Sequence, residues 1–387
     1  MQLSAQAALV FAVTTCRSPK QAGLIGIVFS TAWLTATFWW LFIAMHTYAA
    51  LHAFLAALAV VLLAAALGTY YAGAMMIYWH LCRRMPGMAS PLFAAIWITA
   101  ELARGTWLTG FGWGATGYAH LTGPLALYIP LLGMYGVGAL AAWFAAILGS
   151  SVSGAHKPRS QFLLAALLLA IGAWTPELLH RWTQSAGTMT VSLLQGNIAQ
   201  DEKFEVGTGV PKALQWYAQQ LRASHGSLVV APETAIPLLP QQLPKGYWEA
   251  LQSTHITKNQ AAIIGIPLGS YQLGYTNSVL GVRPGQSEVW QYDKHHLVPF
   301  GEFIPPLFKW FTRMMNIPLG DFNRGDLGQA SMEWNGQRIA PNICYEDLFG
   351  EELGARFIDP AQAPTLFANV SNLGWFGDSI AIDQHLN

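Results

Sequence analysis

Charged residues are distributed very unevenly along this chain of 387 residues, and this distribution constrains its fold more than any other feature. Residues 1–188 contain eight Lys or Arg and two Asp or Glu. Residues 189–387 contain twelve Lys or Arg and eighteen Asp or Glu. The low number of charged residues in 1–188 is typical of a membrane region, whereas the number in 189–387 is typical of an ordinary soluble domain. The sequence therefore predicts a transmembrane region over 1–187 and a folded domain over 188–387. The net charge of zero gives no indication of a nucleic-acid partner.

Apolar runs subdivide the first region. A helix needs about 20 apolar residues to cross the hydrocarbon core of a membrane. Three runs reach this length: Ala22–Met45, a window within Ala50–Trp79, and Pro124–Gly149. Three shorter runs alternate with them and could equally be buried core helices: Leu3–Thr15, Pro91–Leu102 and Phe162–Trp174. We therefore expect about six spans.

The loops between these runs predict the orientation. Lys and Arg are concentrated in loops 16–21, 82–88 and 150–160, whereas the alternate connections are almost without them. The positive-inside rule then places these three loops in the cytoplasm. Six crossings would leave the second domain on the extracytoplasmic side, which is the periplasmic side of the inner membrane in a Gram-negative cell.

Two charged residues fall inside the membrane region. Glu101 and Arg104 are three residues apart, on one face of a predicted helix. We favour an ion pair between them, and the alternative is a polar entrance for lipid headgroups.

The three cysteines, Cys16, Cys82 and Cys344, are too few for a disulfide scaffold. The predicted topology separates Cys344 from the other two, so it should be a lone thiol. A buried, inert cysteine is the commoner outcome, and a reactive nucleophile is the alternative.

The second domain changes to short apolar runs separated by turns. Six runs have the length of buried strands, and Pro211–Leu221 has the pattern of an amphipathic helix. Such alternation predicts an α/β domain with covered sheets. The predicted strands are Thr190–Gln195, Ser227–Ala231, Ala261–Ile266, Ser278–Val282, Arg338–Cys344 and Thr365–Val370.

Polar residues follow three of these strands directly. Glu233, Cys344 and Asn372 each come at or just after a predicted strand end. The ends of strands are where sites form in α/β sheets, so three such residues predict a shared site.

These residue types permit nucleophilic catalysis. A Cys344 thiolate could attack a carbonyl, Glu233 could be the base, and Lys294 could stabilise the thiolate and the oxyanion. The main-chain N–H of Tyr345 could be a second oxyanion donor. Individually, Glu233 could instead begin a helix, and Lys294 could be a loop lysine paired with Asp293.

A metal site is the other possible interpretation of this region. His295 and His296 could bind zinc, but the chain has no HExxH or CxxC partner motif at a suitable spacing. We therefore predict no metal.

Three segments together resemble the carbon–nitrogen hydrolase (nitrilase) superfamily, and its apolipoprotein N-acyltransferase family in particular. They are Ala231–Pro237, Tyr292–Pro305 with its HLVPFGEF string, and Asn342–Glu346. Segments Arg104–Trp113 and Ser371–Gly377 are also similar to that family, so the resemblance covers nearly the whole chain. Leu373 departs from it, because the family often has a polar residue there.

The resemblance implies an α-helical transmembrane bundle followed by a nitrilase-like α-β-β-α sandwich. It implies a ping-pong reaction in which Cys344 takes an acyl chain from a phospholipid, typically phosphatidylethanolamine, as a thioester. The α-amino group of a diacylglyceryl-cysteine apolipoprotein would then receive that chain. Glu233 would be the base and Lys294 the charge stabiliser. No cofactor is implied, and Glu302, Tyr345 and Glu346 would support the site.

Further residues are candidates for lipid contact, either as a lid or as substrate-binding groups. The apolar loop that begins at Phe300 could cover the site or could be an ordinary core loop. Its aromatic residues include Phe300, Phe303, Trp310 and Phe311, and Asn372, Trp375 and Phe376 are additional candidates. One competing function is a membrane-tethered amidase that acts on a small amide with the same three catalytic residues, and another is a non-catalytic membrane scaffold.

The resemblance implies an additional membrane helix before the position at which this chain begins and another after the nitrilase-like domain, and a nitrilase-type sandwich usually continues for several more elements. We therefore expect the sequence to be truncated at both ends, with an incomplete catalytic domain.

Overall fold

A computed structural model describes residues 1–152, 159–174, 183–205, 207–286, 288–304 and 321–386. The chain divides into two compact units. The first contains Met1–Gln184 and Ser379–Asn387, and the second contains Ser185–Asp378.

The first unit is helical. Its principal helices are α1 (Gln2–Thr15), α2 (Pro19–Phe38), α4 (Ala53–Arg84), α5 (Ala89–Thr106), α6 (Ile129–Val152) and α7 (Arg159–Trp174). A three-residue helix, α3 (Leu41–Ile43), continues into a π-helical turn, Ala44–Tyr48.

Each predicted apolar run overlaps one of these principal helices, although Ala22–Met45 extends past the end of α2 into α3 and the π-helical turn. Three stretches are long and apolar enough to cross a membrane: Pro19–Phe38, Ala53–Arg84 and Ala126–Ser151. They coincide with the three strongest runs in the sequence. The ends also follow local chemistry, because Pro19 occupies the first turn of α2 and the Ser18 hydroxyl accepts a hydrogen bond from the Gln21 N–H.

The ion pair predicted between Glu101 and Arg104 is wrong. Both side chains are buried, but no hydrogen bond or ion pair joins them in the described part of the chain. Arg104 instead donates to the Tyr71 hydroxyl at 3.1 Å and to the Phe111 carbonyl at 2.7 Å, and Glu101 accepts from the Thr116 N–H at 3.0 Å. Both side chains are too buried to line an open entrance in this structure. They connect α5 to neighbouring segments of the same unit.

The second unit contains two sheets. The larger has five strands in the order β1 (Val191–Leu193), β2 (Leu228–Val230), β3 (Ala261–Ser270), β4 (Gly274–Val282) and β5 (Trp290–Asp293). Strands β1, β2 and β3 are parallel, whereas β4 and β5 are antiparallel to their neighbours. The smaller sheet has the order β6 (Met332–Trp334), β7 (Gln337–Ile343) and β8 (Leu366–Val370), with β7 and β8 parallel.

Side-chain alternation in the larger sheet separates two hydrophobic cores. One face, which includes Val229 and Ile264, packs against helices α8 (Gly209–Ala223) and α9 (Tyr247–Thr257). The other face, which includes Val230, packs against Ile343 and other residues of the smaller sheet. Successive side chains of a strand point to opposite faces, so continuous apolar runs are needed when both faces are covered. The predicted α/β domain of helices packed on paired sheets is confirmed. A short helix, α10 (Gly350–Ala355), lies between β7 and β8, whereas the later short helix α11 (Ala381–Leu386) belongs to the first unit.

One buried histidine should make the stability of the protein depend on pH. His255 is 0% exposed, and neither ring nitrogen has a hydrogen-bond partner among the described residues. Burial, assisted by the charge of Lys258, lowers the pKa of His255 to about 4. An unfolded histidine has a pKa of about 6.5 and is protonated first as the pH falls. The free energy of unfolding should therefore decrease by roughly 3 kcal/mol between pH 6.5 and pH 4 and stay level above that range.

Thermal unfolding of the detergent-solubilised protein at pH 7, 5 and 4 measures this effect. We expect His255→Leu to lose a large part of the acid sensitivity while remaining folded at pH 7. An equal decrease in Tm with pH in the variant and the parent protein would assign the sensitivity to other groups.

Candidate active site

The side chains that the sequence singled out lie after strands of both sheets. Glu233 follows β2, Lys294 follows β5, and Cys344 follows β7. The Nζ atom of Lys294 lies 3.6 Å from Oε1 of Glu233. The negative charge of Glu233 and the positive charge of Lys294 both act on the Cys344 thiol. The three predicted catalytic residues therefore belong to one cluster.

Lys294 is the buried cation of this cluster. Its side chain is 1% exposed, and its Nζ lies 2.8 Å from Oε2 and 2.9 Å from Oε1 of Glu302. Burial lowers the pKa of Lys294, but the charges of Glu302 and Glu233 raise it by more, so the net direction is upward. The amine therefore remains an ammonium ion at neutral pH.

Asn277 joins the two carboxylates, and sequence analysis did not identify it. Its Nδ2 donates to Oε1 of Glu233 and to Oε1 of Glu302, both at 2.6 Å. Its main-chain carbonyl accepts from the Lys294 N–H at 2.8 Å. Asn277 lies within β4, in register with Pro267 of β3. Asn277 lies just before the apolar half of β4, and no pattern in the sequence singles it out.

Cys344 lies at a sharp change of chain direction. Its φ is +52°, which is unusual for a residue other than glycine and costs of order 1–3 kcal/mol. The chain passes there from β7 into a 3₁₀ turn, Cys344–Leu348. The Asn369 side chain of the neighbouring β8 donates to the Cys344 carbonyl at 3.1 Å. The main chain is therefore held before Cys344 by the pairing of β7 with β8 and at Cys344 itself by the Asn369 hydrogen bond.

Burial and nearby carboxylates favour the thiol form of the Cys344 sulfur over the thiolate. Cys344 is 8% exposed, and burial raises its pKa well above the ordinary value. The negative charge of Glu233 raises that pKa further, whereas Lys294 lowers it. The charges of Glu302 and Asp347 act in the same direction as that of Glu233, so Lys294 alone does not generate a thiolate. Attack by the sulfur therefore requires a base that removes its proton.

Glu346 supports the segments that carry Lys294 and Cys344. Its carboxylate accepts from the N–H groups of His295, at 2.6 Å, and Ile343, at 2.7 Å, and from the Tyr292 hydroxyl at 2.9 Å. Burial raises the pKa of Glu346, and these main-chain hydrogen bonds oppose that shift. Glu346 therefore connects the end of β5 to the end of β7.

Tyr345 and the two histidines are part of the interior around this connection. Tyr345 is fully buried, with its ring 5.0 Å from that of Phe349. His296 stacks on Phe349 and its Nδ1 lies 2.9 Å from Glu352, whereas Nδ1 of His295 lies 2.8 Å from a main-chain carbonyl. Both imidazole rings have protein partners.

Asn372 contacts the carboxylate cluster through its main chain. Its N–H donates to Oε2 of Glu233 at 3.0 Å, and its Nδ2 donates to Gln200 at 3.0 Å. Trp375 is half-exposed and stacks with Phe204 at 6.2 Å, and Phe376 is half-buried in the same 3₁₀ turn. Asn372 therefore positions a carboxylate directly, whereas the two aromatic residues lie further along the segment.

The predicted lid is described only in part. Phe300 has a φ of +63° and is 40% exposed, and Phe303 is half-buried beneath the guanidinium of Arg324 at 5.2 Å. Between them lies Glu302, whose carboxylate faces Lys294. Trp310 and Phe311, the other aromatic residues of the predicted lid, lie outside the described residues.

The two units each match a known protein family. Residues 2–147 match the family of the apolipoprotein N-acyltransferase N-terminal domain, and residues 190–387 match the carbon–nitrogen hydrolase family. Among solved structures, XC1258 from Xanthomonas campestris, a CN-hydrolase superfamily protein, aligns with a TM-score of 0.35 and 20% identity. That alignment covers 48% of this chain and 66% of XC1258.

Curated relatives cover nearly the whole chain. An apolipoprotein N-acyltransferase of Verminephrobacter eiseniae is 57% identical over 95% of this chain and 70% of its own length. That of Ralstonia nicotianae is 44% identical over 100% of this chain and 74% of its own length. With its apolar helices, the chain is a membrane protein, and it belongs to the apolipoprotein N-acyltransferase family.

Proposed function

We propose that this protein transfers an acyl chain from a phospholipid of the phosphatidylethanolamine type to the N-terminal amine of a diacylglyceryl-cysteine apolipoprotein. The observation that carries the mechanism is the buried cluster in which Glu233 and Lys294 act on the Cys344 thiol. We place this site on the periplasmic side of the inner membrane, because the Lys and Arg pattern of the loops favours that orientation.

The first half-reaction loads the cysteine. Glu233 removes the Cys344 proton, and the sulfur attacks the carbonyl carbon of the phospholipid ester. The ammonium group of Lys294 stabilises the negative charge that develops on the carbonyl oxygen. The carbon–oxygen bond then breaks, and the protonated Glu233 returns its proton to the leaving alkoxide. The products are a thioester on Cys344 and a lysophospholipid.

The second half-reaction uses the same groups. The neutral α-amine of the apolipoprotein attacks the thioester carbonyl, and Glu233 accepts the proton that the nitrogen loses. The carbon–sulfur bond breaks, and the sulfur recovers a proton from Glu233. An amide forms and the enzyme returns to its starting state. Asn277 and the Asn372 N–H hold the Glu233 carboxylate, so that one base can serve both steps.

Intact-mass measurement tests this function. The detergent-solubilised protein is incubated with phosphatidylethanolamine, beside Cys344→Ala and the matched control Cys82→Ala. We expect one acyl adduct on the parent chain and on Cys82→Ala, removed by neutral hydroxylamine, and none on Cys344→Ala. Addition of a diacylglyceryl-cysteine peptide should transfer that chain to the peptide amine.

Two results would contradict the proposal. Release of free fatty acid at a rate that the peptide does not change would favour the amidase-type hydrolase. An adduct that persists on Cys344→Ala would mean that another residue carries the acyl group.

A further inference from the structure

A second lysine lies beside Glu233, and the proposed reaction does not yet use it. Lys203 precedes α8 and is only 4% exposed, which is rare for a lysine. Its Nζ lies 3.4 Å from the main-chain carbonyl oxygen of Glu233 and 5.9 Å from the centre of the Phe204 ring. Among the described residues, no carboxylate forms an ion pair with it. Burying an ammonium group without an ion-pair partner costs free energy of folding, so we expect the position of Lys203 to serve a function.

Glu233 lies on a turn with an uncommon backbone conformation and close packing against β3. Thr234, which follows it, has a φ of +51°, an uncommon backbone conformation. The turn also packs closely on β3, because a Cβ added at Gly265 would lie 2.2 Å from the Pro232 carbonyl oxygen. Asn277 and Asn372 hold the carboxylate of Glu233, and Lys203 bonds to its main chain.

The charge of Lys203 also matters at this position. Burial lowers the pKa of Lys203 to about 8, and the negative charge of Glu233, the charged group that acts on it, opposes this shift. Lys203 is therefore mainly an ammonium ion at pH 7 and loses its charge as the pH rises above 8.

We propose that Lys203 is a positioning residue for Glu233: its ammonium group holds the Glu233 main chain and places a positive charge beside the carboxylate. This inference rests on the proposed function, because it takes Glu233 as the base for the Cys344 thiol. Lys203 touches neither the thiol nor the substrate ester, so its effect passes through Glu233.

Two substitutions and one control test the assignment. Lys203→Met removes the charge, and Lys203→Arg keeps it at every accessible pH. Lys212→Met is the matched control, because Lys212 forms only an exposed ion pair with Glu202. The measurement is the single-turnover rate of acyl-enzyme formation with phosphatidylethanolamine from pH 6 to pH 9.5.

At pH 7 we expect Lys203→Met to react up to about 100-fold more slowly, because a small displacement of the base has an effect of this size, with the dependence on phospholipid concentration unchanged. Lys203→Arg should react at a rate close to that of the parent protein, and Lys212→Met should match it. Above pH 8.5 the parent protein should lose activity that Lys203→Arg retains. A Lys203→Met rate within twofold of the parent rate would overturn the proposal. The same loss of rate above pH 8.5 in Lys203→Arg as in the parent protein would also overturn it.

Alkylation of Cys344 by N-ethylmaleimide separates this inference from the proposed function. The alkylation rate reports removal of the thiol proton and needs no lipid. If the parent protein forms no acyl adduct, Lys203→Met should still slow alkylation relative to Lys212→Met. Equal alkylation rates in these two folded variants would reject the positioning role, whatever the lipid experiment shows.

Discussion

Glu233→Gln is expected to slow acyl-enzyme formation by about 10²–10⁴-fold, the usual contribution of a general base. Cys344 is a buried thiol with a raised pKa, so the reaction cannot begin until a base removes its proton. A glutamine has nearly the same shape but cannot accept that proton. Single-turnover intact-mass measurement at pH 7 gives the rate, and Glu352→Gln, outside the carboxylate cluster, is the matched control.

The pH dependence of the variant gives a second check. Hydroxide can replace the missing base, so the Glu233→Gln rate should rise continuously with pH while the thiol begins to ionise. The glutamine also has one acceptor oxygen, whereas Glu233 accepts from Asn277 through one oxygen and from the Asn372 N–H through the other. Some loss of stability should accompany the loss of rate. A variant that reacts at the parent rate at pH 7 would show that a different group is the base.

The three proposed catalytic residues were singled out from the sequence because each lies in a short segment that resembles the family, although β5, the strand before Lys294, was not predicted. Position after a strand was sufficient to predict that Glu233 and Cys344 share a site, since strand ends gather polar side chains. The HLVPFGEF string also identified Glu302, whose carboxylate bonds Lys294. Their proposed roles still depend on the experiments above.

Asn277 and Lys203 could not be predicted in the same way. Asn277 belongs to the polar first half of β4, which pairs with β3 across the turn at Ser270 and Gly274. That half of the strand is held by main-chain hydrogen bonds to β3, and its sequence has no apolar pattern. Sequence analysis therefore began the strand only at Ser278. Lys203 precedes Glu233 by 30 residues, and only the tertiary structure brings its amine to that carbonyl.

Charge pairing was also hard to predict inside the membrane region. Glu101 and Arg104 have suitable helical spacing, yet each bonds to groups from other segments. A buried side chain takes the partners that the surrounding backbone offers, and spacing along one helix does not reveal those partners.

Lys294→Met is expected to affect both activity and stability. Lys294 lies between Glu302 and Glu233, so its removal leaves two carboxylates facing each other in a buried site. Breaking such a pair by removing one partner costs about 3–5 kcal/mol. The developing negative charge on the substrate oxygen also loses its cation, which should slow acyl-enzyme formation by about 10²–10³-fold.

A double variant separates the two effects. Lys294→Met combined with Glu302→Gln removes one of the two carboxylates that face each other without a cation, so thermal stability should recover in part. The rate of acyl-enzyme formation should remain low, because no ammonium group is restored. Tm by differential scanning fluorimetry and rate by intact mass measure the two properties on the same samples. Recovery of the rate together with Tm would mean that Lys294 only neutralises Glu302 and does not act on the substrate, since a cation that stabilises the oxyanion cannot be replaced by removing a carboxylate.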